Sequence, residues 1–554
     1  MRSDPRATVE AALEAIRARG YYAAFEESPS PRVYGDRAAA AGKAAFEALL
    51  GVRFEVSTPG SSATVSTERS PYGIGLDVQY PHLTADGLDD LMAAASAGIA
   101  DWRDAGPDRR LDVCLSILNG LYDRIFELAN AVMATTGQAF VMAFQAGGAH
   151  ALDRGLEATA LAYDQMRRWP SNSLWEKPVK RGTLRMTSSF TVVPRGIAVV
   201  IASTTFPTWN SYPGLFASLV TGNPVVVKPH PGAVLPLAIT VQECQRQLAE
   251  HGFDPHLVTL AAEHPEDELA KDLVTRPEVR LVDFTGGNEF GTWVEQNAGN
   301  ATVFAEKSGV NSVVIDSTDS FRGMCKNLAF TLALYSGQMC TTTQAIFIPD
   351  HGVQTDEGHK SYEEVCAAIA GAVDDLLNED DKAVNILGAI VNDGVLARLA
   401  LAPQYGSTVL PSREITHPDY PEAVVRTPAL VSLEAEGVDA YGRECFGPVA
   451  FLIRTRDTAE SLELVADVTS SVGAMTFGVY STSDRVLASA ADVALDAGVP
   501  LSQNLTDGVY LNQTMAYVDL HGSGANPAAS AAFTDVSFVA SRFRIVQVRK
   551  HPAS

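Results

Sequence analysis

This chain lacks the marks of a metal centre, a disulfide framework and a membrane span. Its six cysteines (Cys114, Cys244, Cys325, Cys340, Cys366 and Cys445) lie far apart with no C-x-x-C pair, which fits reduced thiols in a cytoplasmic protein rather than a zinc site or a stapled fold. The eleven histidines are also scattered, and His351 and His359 fall on a polar loop suited to solvent, so no metal is expected. No stretch reaches the roughly 18 consecutive apolar residues that would span a bilayer, and the start Met1-Arg2-Ser3-Asp4-Pro5 has no apolar export core. Cations are scarce: 42 Lys and Arg against 66 Asp and Glu leave a net charge of −24. Such a surface repels phosphate backbones and argues against a nucleic-acid partner. There is no internal repeat and no long low-complexity linker.

What is present fits a soluble α/β enzyme. Hydrophobic residues make up 46% and charged residues 19% of 554 positions, enough chain for two or three domains with ample cores. Residues 1 to about 70 read as a helix followed by an extended arm. From Thr84 to about Trp169 the spacing of Leu111, Cys114, Leu115, Leu118, Leu121, Ile125, Leu128 and Val132 is helical, and three or four consecutive helices are expected. Residues 170–194 turn β-branched and alternating, as does Ser541 to Lys550. Both read as exposed strands of one small sheet that seeks a partner edge.

Between them short apolar strands alternate with amphipathic helices: strands at 196–203, 224–228, 257–261 and 279–284, and helices near 208–221, 235–251, 265–275 and 288–297. That pattern predicts a doubly wound parallel sheet of nucleotide-binding type, whose ligand crevice lies beyond the strands' carboxyl ends, at the loops after Ala202, Val227 and Phe284. A second α/β unit follows from about 307, with strands at 312–315, 345–348 and 449–453 and helices near 321–335 and 360–378.

The chemistry-bearing residues sit at these junctions. No G-x-G-x-x-G follows the first strand, so the usual dinucleotide fingerprint is absent. Instead Lys228 ends the second strand, where an ammonium can meet ribose hydroxyls or phosphate, and Thr285-Gly286-Gly287 opens a helix whose N–H groups suit an anion. Cys340 follows a Gly337-Gln338 turn, and Glu306, placed in a short loop, precedes it by 34 residues (340 − 306). A thiol and a carboxylate suffice for covalent catalysis at an acyl carbon.

The order Lys228, Phe284-Thr285-Gly286, Glu306, Gly337-Gln338-x-Cys340, Glu444-Cys445-Phe446-Gly447-Pro448 resembles the aldehyde dehydrogenase superfamily from about residue 84 to the C-terminus. Ala202 to Asn210, Thr221 to Pro231 and His521-Gly522-Ser523-Gly524-Ala525-Asn526-Pro527 look like its phenylacetic acid degradation branch, PaaN. The resemblance implies an N-terminal extension (1–70), an NAD(P)-binding domain (71–305) carrying an oligomerisation hairpin (170–194), a catalytic domain (306–510) and a return segment with a C-terminal oligomerisation strand (511–554), assembled as a homodimer or homotetramer. It implies that Cys340 adds to an aldehyde and that Glu306 later activates water, its pKa raised by burial. The oxyanion is expected to be held by the Cys340 N–H and by Thr205, which stands where the family has an asparagine; Asn210 is the alternative. Lys228 is expected at the adenosine ribose, Gly286 and Gly287 at the pyrophosphate, and Glu444 with Phe446 at the nicotinamide ribose and ring. Where NAD-preferring relatives carry an acidic residue this chain has Pro231, so NADP is admitted beside NAD and by that position favoured.

The expected substrate is a ring-opened semialdehyde carrying coenzyme A, met by a local basic mouth drawn from Arg167, Arg168, Lys177, Lys180 and Arg181. Two other readings stand beside it. A CoA-acylating dehydrogenase is disfavoured by Glu306, and a non-catalytic NAD(P)-binding protein of the same fold is suggested only by Thr205.

Overall fold

The structure is a computed structural model that describes residues 5–551. The first α/β unit is a five-stranded, all-parallel sheet in the order Val258–Leu260, Val225–Lys228, Ile197–Ile201, Val279–Thr285, Thr302–Glu306. Every residue of Ile197–Ile201 and Val225–Lys228 is buried, as expected of strands covered on both faces. The helices Pro207–Val220, Leu235–Glu250, Leu269–Thr275 and Asn288–Asn297 supply the crossovers. Four of the five strands fall where the apolar runs place them. The fifth is a correction: Glu306 is not in a loop but ends an edge strand, paired in register with Thr285. Its loop-like surroundings have a physical cause. The edge is capped by a distant segment, with Lys307 N–H donating to the Ala528 carbonyl at 2.6 Å and Ser530 N–H to that of Ala305 at 2.9 Å.

The second unit is a seven-stranded sheet in the order Ser407–Leu410, Ala429–Glu434, Val449–Thr455, Thr343–Pro349, Asn311–Ile315, Phe477–Tyr480, Leu501–Gln503, parallel except at Ser407–Leu410. The helices Phe321–Ala333 and Tyr362–Leu376 pack against each other on it. The third sheet is antiparallel, with Gly182–Pro194 paired on one side to Asn172–Val179 and on the other to Phe543–Lys550. It leaves Leu174, Trp175, Leu184, Val546 and Val548 exposed.

The N-terminal reading needs two changes. After the helix Pro5–Ala18 the chain does not run as an arm but folds into helices Pro31–Tyr34 and Ala38–Glu47, with Phe25 and Phe46 buried. The helical stretch that follows is cut into more pieces than its periodicity suggests. Gly98, Gly106 and the left-handed Gly137 (φ 75°) interrupt the stripe, and a π-helical turn Gln145–His150 joins Phe140–Phe144 to the buried helix Ala151–Arg167. The return of the C-terminus to the nucleotide sheet is fixed by a fully buried Arg542, which holds Asp283 through two bonds of 2.6 and 2.8 Å. Removing either partner of such a pair costs about 3–5 kcal/mol, because the other charge is left buried and alone. Among the described residues no helix is long and apolar enough to cross a membrane.

Candidate active site

A crevice of about 700 Å³ opens at the carboxyl ends of the five-stranded sheet. It is lined by the loops after Ile201, Lys228 and Phe284 and, from the facing unit, by Cys340, Glu444 and Phe446. Thr205, Pro231, Gly286 and Gly287 also line it, so every residue singled out for catalysis or cofactor contact reaches one cavity.

The thiol is delivered by a strained and heavily braced turn. Tyr335, Ser336 and Gly337 are consecutive left-handed residues, with φ of 54°, 50° and 65°. For the two non-glycines this costs about 1–3 kcal/mol each. Hydrogen bonds to three other segments offset it. The Tyr335 hydroxyl donates to the Thr136 carbonyl, and the Ser336 hydroxyl meets the carbonyls of Gly388 and Arg426 at 3.1 Å each. Gln338 accepts from Val391 N–H at 3.0 Å while donating to the Ala389 carbonyl at 3.1 Å. Gly337 cannot be larger, since a Cβ there would lie 2.4 Å from the Gly447 carbonyl oxygen. Asn311 then holds the Cys340 carbonyl at 2.8 Å. The buried Gln338 is thus the reason the Gly-Gln turn precedes the nucleophile.

Opposite the sulfur, the buried Glu306 receives Asn210 Nδ2 at 2.8 Å on one oxygen and lies 3.0 Å from His521 Nε2 on the other. The same Nε2 is 3.7 Å from Cys340 Sγ. One ligand atom from each of these three side chains lies within 4.8 Å of the others, the one such grouping of metal-ligand residue types among the described residues. His521 is held by Trp209 edge-on at 4.7 Å and by Phe533 at 5.5 Å between ring centroids.

Burial, and then the charge of Glu306, push the Cys340 thiol well above the usual range. For Glu306 burial also works upward, but His521, Cys340 and Asn210 outweigh it and hold the carboxyl below its ordinary value. This reverses the expectation that burial raises it. Both oxyanion candidates, Thr205 and Asn210, line the crevice, and Asn210 spends one amide N–H on Glu306.

On the cofactor side Lys228 is buried and paired with Glu263, from the loop after the strand Val258–Leu260. Glu263 also accepts the N–H of Leu269 at 2.6 Å. Gly286 turns its N–H to the Glu306 carbonyl at 3.1 Å, which leaves Gly287 and the helix behind it as the anion-facing part of the turn. A Cβ at Gly287 would meet nothing, so that face is open to a ligand. Burial raises Glu444 to about 7, with Ser308 and Arg398 acting downward. Arg398 positions the neighbouring loop by donating to the Phe446 carbonyl at 2.8 Å. The N-terminal segment braces this wall. Thr67 donates to the Pro231 carbonyl at 2.6 Å, and Glu68 caps the helix Leu235–Glu250 through the N–H groups of Val234 and Leu235.

Sequence reasoning missed His521 and Glu263 as site residues, and it offered Asn210 only as an alternative oxyanion donor, not as the hydrogen-bond partner of Glu306. Nothing local marks them: His521 stands 181 residues beyond Cys340, in a stretch whose motif points only to a family branch.

The sequence profile of the aldehyde dehydrogenase family matches residues 61–500. A crystal structure of an NAD-dependent aldehyde dehydrogenase from Burkholderia multivorans is 52% identical with a TM-score of 0.97, covering 99% of this chain and 98% of that one. A 1-pyrroline-5-carboxylate dehydrogenase from Thermus with bound NAD shares the fold at 18% identity, with a TM-score of 0.75 over 96% and 99% of the two chains. Among curated relatives, a putative aldehyde dehydrogenase FUS7 of Gibberella moniliformis is 25% identical over 55% of this chain and 62% of its own length. A putative aldehyde dehydrogenase family 7 member A1 homolog of Caenorhabditis elegans is 29% identical over 28% and 30%. These two curated relatives are therefore matched over less than two thirds of their length.

Proposed function

The chain belongs to the aldehyde dehydrogenase family, and from that premise we propose that it oxidises an aldehyde to the free carboxylic acid through a thioester on Cys340, with NAD as cofactor. The observation that carries this is the meeting of Cys340 Sγ with the ionised, buried Glu306 inside the crevice of a nucleotide-binding sheet.

In this reading the Cys340 thiol gives its proton to Glu306 and its sulfur adds to the aldehyde carbon, and the oxyanion so formed is held by the Cys340 N–H and the Thr205 hydroxyl. Bound NAD would supply the hydride acceptor for that carbon, which would leave a thioester on Cys340. Glu306 releases the thiol proton to solvent and, again a carboxylate, takes a proton from water, which attacks the thioester and releases the acid and the thiolate. Lys228 would hold the adenosine ribose, Gly287 and its helix the pyrophosphate, and Glu444 the second ribose. The residues present fit that group: an open glycine turn, a buried ammonium and a buried carboxyl face one cavity.

Support for NAD over NADP comes from Glu263. Pro231 removes the acidic group expected three positions after Lys228, but Glu263 sets a carboxylate on the same ammonium. A 2′-phosphate would meet that like charge.

Resemblance to the PaaN branch supports a CoA-linked, ring-opened semialdehyde as the substrate. Of the basic residues put forward for its phosphates, Arg167 and Arg168 are tied to Asp164, and Arg167 also to Glu10. That role then falls to Lys177, Lys180 and Arg181 on the exposed hairpin. The exposed apolar residues of the three-stranded sheet support self-association as a dimer or tetramer, and six free cysteines support a cytoplasmic setting.

The test is product analysis with a panel of free and CoA-linked aldehydes, with and without added CoA. Wild type should release free acid with NADH, and Cys340→Ala should form no NADH even in a single turnover. An acyl-CoA product made from added CoA, or equal activity in the alanine variant, overturns the reading.

A further inference from the structure

The mechanism above uses Cys340 and Glu306 but leaves the side chain between them without a task. His521 is 3% exposed, and its Nδ1 is buried with no hydrogen-bond partner. Its Nε2 faces two proton acceptors at once, Glu306 Oε1 at 3.0 Å and Cys340 Sγ at 3.7 Å. The tautomer follows from these contacts. A proton on Nδ1 would leave a buried N–H unsatisfied and turn the Nε2 lone pair against a carboxylate. A proton on Nε2 leaves only an acceptor lone pair unmatched at Nδ1 and serves the carboxylate and, at longer range, the sulfur.

We infer that His521 is a further catalytic residue, a hydrogen-bond donor whose Nε2–H is shared between the Glu306 carboxylate and the Cys340 sulfur and passes from the first to the second when the thiol ionises. The proton balance is simple. Cys340 S–H gives its proton to Glu306, which becomes a carboxylic acid and no longer needs the imidazole N–H, and that N–H then faces the thiolate. His521 itself neither gains nor loses a proton. The pair Cys340–SH and Glu306–COO⁻ becomes Cys340–S⁻ and Glu306–COOH, with the charge conserved and a donor on it in both states.

Three features of the surroundings support a positioned donor. The ring is clamped by Trp209 and Phe533, and its backbone is bridged to Phe533, whose N–H donates to the His521 carbonyl at 3.0 Å. The same return segment is bonded to the strand that carries Glu306, so imidazole and carboxylate are set by one piece of backbone pairing. The other charges facing the trio are Glu444 from the opposite loop and Arg154, which lies over Trp209 at 5.2 Å and is paired with the buried Glu157. Lys307, next to Glu306, is tied to Glu295. Among these groups His521 alone is placed to donate to both the sulfur and the carboxylate.

The inference rests on the dehydrogenase reading for the reaction it serves, and its test is chosen to stand without substrate or cofactor. The rate of alkylation of Cys340 by iodoacetamide would be followed against pH in wild type, His521→Phe and His521→Gln, with the modified residue identified by mass spectrometry. Phenylalanine keeps the ring packing and removes the donor, and glutamine returns an amide N–H near the place of Nε2. Loss of the donor should slow alkylation at pH 8 by about tenfold, the size expected for one hydrogen bond to a charged group, and the glutamine variant should recover most of that. In steady-state turnover the acid limb should move to higher pH in the phenylalanine variant, because Glu306 loses the partner that opposes its burial, and it should stay near the wild-type position in the glutamine variant. Equal alkylation profiles in wild type and His521→Phe would overturn the assignment. So would a glutamine variant no better than phenylalanine while both melt at the wild-type temperature. Should phenylalanine prevent folding, His521→Asn takes its place, since its shorter amide cannot span to both acceptors.

Discussion

On the cofactor side of the crevice Lys228, Gly286 and Gly287 each stand where one strand meets the helix that follows it, whereas on the chemical side Cys340, Glu306, Asn210 and His521 arrive from four separate segments. The first half is made of local chain geometry repeated along a parallel sheet. The second exists only once the C-terminal return has closed the edge beside Glu306. Changes on the chemical side should therefore fall on turnover, and changes on the cofactor side on affinity and discrimination.

The largest effect expected in this comparison is at Glu306. Glu306→Gln keeps the shape and the Asn210 contact but removes the base, so turnover should fall by about 10²–10⁴-fold, the usual share of general-base catalysis. Thioester formation, in which Glu306 receives the thiol proton, and hydrolysis, in which it takes one from water, should both slow, so no rapid burst of NADH should precede the steady state. Rapid-mixing absorbance at 340 nm checks it; a burst about equal to the enzyme concentration would mean that Glu306 serves hydrolysis alone.

Thr205 comes next. Its replacement by alanine should lower kcat by up to about 10²-fold with little change in the KM for NAD, the cost of losing one oxyanion donor. Thr205→Asn, with an amide in place of the hydroxyl, should retain turnover within a few-fold. If alanine changes nothing, the Cys340 N–H holds the oxyanion alone and the chemical half contains one residue fewer.

The same division explains what could be read in the chain before folding. Strands 196–203 and 224–228 stand out because parallel strands buried on both faces are apolar nearly throughout, whereas 279–284 carries Arg280 and the ion-paired Asp283 within its apolar run; the loops after all three follow from the register. Cys340 and Glu306 were found by their order with other motifs. Glu306 was nevertheless placed in a loop, because a strand of five residues that completes its edge with residues 528–530 carries no helix or turn signal of its own. Glu263 is not legible beside Lys228 in the sequence, because it lies 35 residues further on (263 − 228) and reaches the ammonium from the loop after the neighbouring strand Val258–Leu260. His521 was invisible for a stronger reason: its proximity to Cys340 depends on backbone bonds between segments more than 200 residues apart, which no local periodicity encodes.

On the cofactor side, Glu263→Gln should leave kcat with NAD within a few-fold and raise kcat/KM for NADP by about tenfold, which corresponds to about 1.4 kcal/mol of removed repulsion. Initial-rate titrations with both cofactors measure it. A large fall in kcat would break the division, since it would show that the Lys228–Glu263 pair also shapes the chemical half.

The smallest effect expected is a pH dependence at Glu444. Burial raises its carboxyl to about 7, so between roughly pH 6 and 8 the group passes from a neutral acid to a carboxylate able to accept from ribose hydroxyls. The KM for NAD should fall a few-fold over that interval, and Glu444→Gln should flatten the profile at the weaker-binding value. Stability runs the other way. A carboxyl raised in the folded state destabilises the fold as pH climbs from the unfolded value near 4.5 through 7, so the glutamine variant should melt no lower than wild type at pH 8. Affinity and stability moving in opposite directions at one residue would mark Glu444 as a ligand-binding group held at a folding cost. Parallel movement of both would place it instead with the structural residues of the facing sheet.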